Sequence, residues 1–166
     1  MLIIYACYGG AHTSPMAAAI HLGRLKGDPL PSLEDILNVQ YFDVLATGDR
    51  GRVFPVGTDE LGNQVYILGR GNYQQPIIQA VKSGYMLAGG DPRQIMFVNT
   101  LKGVNWPMRV GGFLSRRLGL ISLGRMVAAI GARWAYPKLM EIVAETKAKC
   151  AAGGHRHSPS FSFRQE

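Results

Sequence analysis

The sequence predicts an α/β protein: a three-layer, mostly parallel central sheet with helices on both faces. Three observations carry that expectation. A wholly apolar run at residues 2–6 suits a strand buried on both faces, it passes through a glycine-bearing loop into a helix start, and strand-like and helix-like segments then alternate along the chain. At 166 residues the chain is long enough for one domain with a sizeable core. The domain is expected over residues 1–152, with a helical last third and a flexible tail at 153–166.

Each element follows from local pattern. Residues 2–6 form the first strand. Residues 14–25 repeat small and apolar side chains at helical spacing, with Ser14 as N-cap and Pro15 at the first helical position. Residues 32–37 form a second short helix, capped by Ser32 with Asp35 at its third position. The stretch "GRVFPVGTDELGNQVYILG" holds two strands, 52–56 and 64–68, joined by a turn carrying Asp59, Gly62 and Asn63. Thr58, Asp59 and Glu60 could serve acid–base chemistry or a metal, but their setting reads as an ordinary hairpin turn. Residues 73–84 have helical spacing and stop at Gly84, and 95–98 form a further buried strand. From Pro107 to Lys149 the pattern is helical, with breaks at Gly111, Gly112, Gly119, Gly124 and Pro137 and a last helix at 136–149. His155 and His157, in the tail, are read as incidental, so no metal site and no cofactor is expected.

Charge divides the chain. Through Thr100 there are 7 Lys and Arg against 8 Asp and Glu, whereas from Leu101 onward there are 11 against 3. An acidic partner would therefore bind the last third. Nucleic acid is not the expected one, because the basic residues lack interleaved aromatics and any nucleic-acid motif. The segment "FLSRRLGLISLGRMVAAIGARW" mixes arginines with apolar residues, a composition that fits a membrane surface. Its glycines suit close helix packing instead, and helices covering the sheet with arginines outward are expected. No run reaches the length of a membrane span, no basic leader precedes residues 2–6, and Cys7 and Cys150 lack metal-ligand spacing. A reduced, cytoplasmic setting is expected.

The loop after the first strand carries the chemistry. A loop entering a helix offers unpaired backbone N–H groups and the positive end of the helix dipole, a setting that holds phosphate or another oxyanion. Tyr8, Gly9, Gly10, Ala11, His12, Thr13 and Ser14 would form it. The glycines let the backbone curl around the anion, Thr13 and Ser14 add hydroxyls, and His12 could assist as cation or general base. Cys7 would sit at the base of the ring, where the same field favours the nucleophilic thiolate. In sheets of this kind ligands bind beyond the carboxyl ends of the strands. The loops there also contain Arg70 and Lys102, either of which could supply positive charge.

The stretch "CYGGAHTSPMAAAI" resembles the phosphate-binding loop of the low-molecular-weight protein tyrosine phosphatases, which runs Cys, five residues, Arg, then Ser-Pro-Met-Ala. Cys7 falls on that family's nucleophile, and Ser14, Pro15, Met16 and Ala17 match the residues after its arginine. Thr13 takes the arginine's position, which removes the group that clamps two phosphoryl oxygens. Neither Asp28–Pro29 nor Asp91–Pro92 falls where that family has its general acid. The loop is also similar to that of the cellobiose/lactose-type IIB components of the sugar phosphotransferase system, in which a cysteine carries phosphate without an arginine. Cys7, Thr13 and Ser14 match that spacing. Both resemblances cover about the first 25 residues. Over its full length the chain resembles an uncharacterised family of unknown function in Gram-positive bacteria, whose members share "CYGGAHTS" and "GTDELGNQVYILG". The expected function is binding of phosphate or a phosphorylated small molecule at the Cys-x5-Thr-Ser loop, with phosphoryl or thiol chemistry at Cys7. The alternative is a non-catalytic protein that binds an acidic partner through its basic third.

Overall fold

The computed structural model describes residues 1–117 and 120–153. Four strands form one mixed sheet in the order β2-β3-β1-β4. They are β1 (Leu2–Cys7), β2 (Val53–Thr58), β3 (Gln64–Gly69) and β4 (Ile95–Asn99). The strand β1 is central and runs parallel to both β3 and β4, while β2 pairs antiparallel with β3 as the second arm of a hairpin. The helices are α1 (Thr13–His21), α2 (Leu33–Leu37), α3 (Gln74–Leu87), α4 (Trp106–Arg117) and α5 (Ile121–Gly153).

The period of two in a strand explains why β1 is apolar throughout. Ile3 and Tyr5 pack with Val65 and Ile67 into a core built with α1 and α5, whereas Ile4 and Ala6 join Leu68 and Ile95 against Ile77, Val81 and Tyr85 of α3. Every residue of α1 is buried, and its run of Ala17, Ala18 and Ala19 leaves room for that close packing. The Ser32 cap forms as expected: its hydroxyl accepts from the Asp35 N–H while the Asp35 carboxylate accepts from the Ser32 N–H.

Several boundaries differ from the sequence reading, each for a physical reason. The helix α1 begins at Thr13 with His12 at the N-cap, and Ser14 is drawn inside because its hydroxyl bonds Cys7. Pro15 still falls in the first turn, where a missing N–H costs nothing. Gly84 does not stop α3. The helix continues to Leu87 and ends at Gly89, which has a φ of +85°, with the Gly89 N–H bonded to Met86 and the Gly90 N–H to Tyr85. Gly111 and Gly112 do not break α4, and Gly124 and Pro137 do not break α5. Instead the glycines are contact points. A Cβ on Gly111 would lie 2.5 Å from the Ala128 nitrogen, and one on Gly131 would lie 2.7 Å from the Met108 nitrogen. Pro137 is tolerated because its neighbours Ala135, Tyr136 and Leu139 are buried in the core, where packing outweighs the lost helical bond. The readings at Gly119, at His155 and His157, and of the tail beyond Gly153 lie outside the described residues. Among the described residues no helix is long and apolar enough to cross a membrane.

Candidate functional site

The carboxyl ends of the three parallel strands lie side by side, with Cys7 paired to Gly69 and Ala6 to Asn99. The loop after β1 therefore opens where the strand order reverses, the place at which α/β sheets take ligands. It is fixed there by backbone bonds: the Arg70 N–H donates to the Cys7 carbonyl and the Gly71 N–H to the Tyr8 carbonyl, at 3.0 and 2.8 Å. Gly10 has a φ of +74°, and a Cβ there would lie 2.8 Å from the Gly69 nitrogen, so neither the conformation nor the space admits a side chain.

Cys7 is 4 % exposed, and two groups converge on its sulfur. The Gly10 N–H donates to Sγ at 3.1 Å, and the Ser14 hydroxyl lies 3.2 Å from it. Among the described residues nothing accepts from the backbone N–H groups of Tyr8, Gly9, Ala11, His12 and Thr13. These five residues and Cys7 line a cleft of about 720 Å³, whose far wall is formed by Leu101, Val104, Met108 and Phe113. Among the described residues its charged lining is Arg50 and Arg109, with no aspartate or glutamate. The Arg50 guanidinium stacks 4.6 Å over the Tyr8 ring, which holds it beside the loop.

The hydroxyls and the histidine are already engaged. Thr100 Oγ1 donates to the Ala6 carbonyl at 3.2 Å, so the 3.1 Å bond between the two threonines uses the Thr13 proton. Thr13 thus ties the start of α1 to Thr100, the residue that follows β4. His12 Nε2 lies 3.0 Å from the Asp43 carboxylate, which is almost wholly buried. Asp43 itself has a φ of 55° and donates its N–H to the Ala11 carbonyl at 2.8 Å, so one residue holds both the histidine and the loop.

Arg70 and Lys102 are not among the residues lining the cleft. Arg70 is 8 % exposed, and its Nη1 donates to the Gly71 carbonyl. Lys102 is exposed in the 3₁₀ turn Leu101–Gly103. Among the described residues, the cations that line the cleft beside the loop are Arg50 and Arg109, which sequence reasoning missed together with Asp43 and Thr100. Arg50 follows a "TGD" turn, a local sign of a loop but not of what the loop faces, and Asp43 and Thr100 meet the site only through contacts 31 and 87 residues away in the chain.

A second polar cluster lies deeper. The Tyr5 hydroxyl is 2.7 Å from His21 Nδ1, and His21 Nε2 is 3.0 Å from the Asp59 carboxylate. Asp59 also accepts from the backbone N–H groups of Leu61 and Asn63 and from the Asn63 side chain. The hairpin turn is therefore more than a connection, because its aspartate is turned inward against α1. Burial raises the Asp59 carboxyl, but the hydrogen bonds from His21, Asn63 and Leu61 outweigh that and hold it below the ordinary carboxylate value. Burial also pushes the Tyr5 phenol well above its ordinary range, which keeps it protonated as a donor.

Compared with curated proteins and with solved structures, the chain matches none. A family model described as "protein of unknown function", DUF3189, matches residues 2–148, which is nearly the whole of the described fold and includes the loop, the hairpin and most of α5; the chain belongs to that family.

Proposed function

We propose that the loop from Cys7 to Thr13 binds phosphate, or the phosphate group of a small molecule, and that Cys7 is the nucleophile facing it. The observation that carries this reading is the set of five backbone N–H groups without an acceptor among the described residues, all in residues lining a cleft whose charged side chains are cationic. The Cys-x5-Thr-Ser spacing, similar to that of the cellobiose/lactose-type IIB components, supports it. So do Arg50 and Arg109, which supply the positive charge that Thr13 does not.

The chemistry is set by the groups in the cleft. The Cys7 thiol loses its proton to solvent and its sulfur attacks phosphorus, the S–P bond forms as the bond to the leaving oxygen breaks, and that oxygen takes a proton from solvent, since no carboxylic acid is among the described lining residues. A cysteine so placed holds the phosphoryl group until an acceptor removes it, which favours a carrier or slow transferase over a fast phosphatase. The apolar wall of Leu101, Val104, Met108 and Phe113 suits a ligand with an apolar organic part beside its phosphate.

Alkylation of Cys7 by iodoacetamide, in a Cys150→Ser background, tests this reading. Phosphate or vanadate is expected to slow the modification several-fold and saturably, because the anion covers the sulfur. A rate unchanged by either oxyanion would overturn the proposal.

A further inference from the structure

We infer that the outer face of the α4–α5 pair docks on an anionic membrane surface. Arg109 and Phe113 also line the cleft, but docking needs no ligand there. Trp106, Val110 and Phe113, at helical spacing, share one face of α4, and Leu123, Ile130 and Trp134 share one face of α5; all six are exposed. The chain has two tryptophans, and both stand on these faces, 67 % and 62 % exposed. Large apolar side chains at that exposure are not needed for the fold. The two helices already pack on each other through Gly111 against Gly124 and Ala128 and through Gly131 against Met108, and none of the six apolar residues is in those contacts.

Charge selects the occupant. Residues 101–140 contain seven lysines and arginines and no aspartate or glutamate; of these Lys138 pairs with Glu141 and Arg125 donates to the Leu37 carbonyl, while Arg109 and Arg133 are exposed. Arg109 lies between Trp106 and Phe113 in sequence, and the exposed Arg133 precedes Trp134. A second copy of this chain would bring the same cations against them and be repelled. An acidic protein would answer the cations but leave six apolar side chains without an apolar phase. The headgroup region of an anionic bilayer supplies both, with tryptophan and phenylalanine seated at the boundary and arginines on the phosphates. Because no described helix is long and apolar enough to span, the association is peripheral.

The test uses the full chain and its own tryptophans. Vesicles of phosphatidylcholine alone are compared with vesicles that also contain phosphatidylglycerol, at low and high salt. Co-sedimentation and a blue shift of tryptophan emission are expected with the anionic vesicles only, weakening at high salt. Arg133→Glu and Trp134→Ser, both at exposed positions, should each weaken the partition by about tenfold while leaving the far-ultraviolet circular dichroism unchanged. Failure to bind anionic vesicles at low salt would overturn the inference. So would binding to soluble polyglutamate at equal affinity without the blue shift, or a dimer that buries the tryptophans in the absence of lipid.

Discussion

Asp59→Ala is expected to lower the folding stability by about 3 kcal/mol in urea unfolding at neutral pH, the cost of leaving a buried partner without its carboxylate. The Asp59 and His21 side chains are almost wholly buried, and the carboxylate receives the His21 ring N–H, two backbone N–H groups and the Asn63 amide. Alanine removes all four acceptor contacts at once and strands His21 between Tyr5 and a void. The same group gives stability a sign in pH. Its carboxyl is held below the ordinary value when folded, so its contribution is complete above the unfolded value of about 3.9 and is lost as pH falls through the lower folded one. Unfolding curves of the parent and of Asp59→Asn should therefore converge on acidification below about pH 4. A gap that persists undiminished into strong acid would contradict this account.

The second large effect is at Gly111, where two considerations oppose each other. Alanine in place of a helical glycine gains about 1 kcal/mol of helix propensity. A Cβ at Gly111, however, would lie 2.5 Å from the Ala128 nitrogen and 2.6 Å from the Gly124 carbonyl oxygen, and both are backbone atoms that cannot rotate away. Separating the helices costs more than the propensity returns, so Gly111→Ala is expected to destabilise by about 2 kcal/mol. Gly84→Ala is the matched control. It also sits inside a helix, but nothing lies within 4 Å of the place its Cβ would take, so the same substitution should stabilise by about 0.5–1 kcal/mol. Thermal melts of the two variants measure the difference in sign. A stabilising shift for Gly111→Ala would mean that the α4–α5 contact is looser than these distances state.

Legibility in the sequence divides along contact range. The apolar strand at residues 2–6, the Ser32 and Asp35 cap and the hairpin are local patterns, and each forms close to where its own residues place it. The run from Cys7 to Ser14 is legible as a strand–loop–helix start because glycine, threonine, serine and proline carry their own backbone preferences. Gly84, Gly111 and Pro137 look like breaks and are not, because intrinsic propensity is a weak force, and the burial of neighbouring side chains outweighs it in α5. The groups that engage the loop are not legible at all. Asp43 meets His12 across 31 residues and Thr100 meets Thr13 across 87, and no periodicity encodes such contacts. Asp59 reads as a turn residue, which it is, but its burial against His21 depends on how the hairpin packs on α1.

The most direct test of the anion loop watches its backbone. In a ¹H–¹⁵N correlation spectrum, titration with inorganic phosphate should shift the amides of Tyr8, Gly9, Ala11, His12 and Thr13 together and saturably, while sodium chloride at equal ionic strength leaves them in place. Amides that stay still, or that follow ionic strength alone, would contradict the proposal that these residues hold a phosphate group.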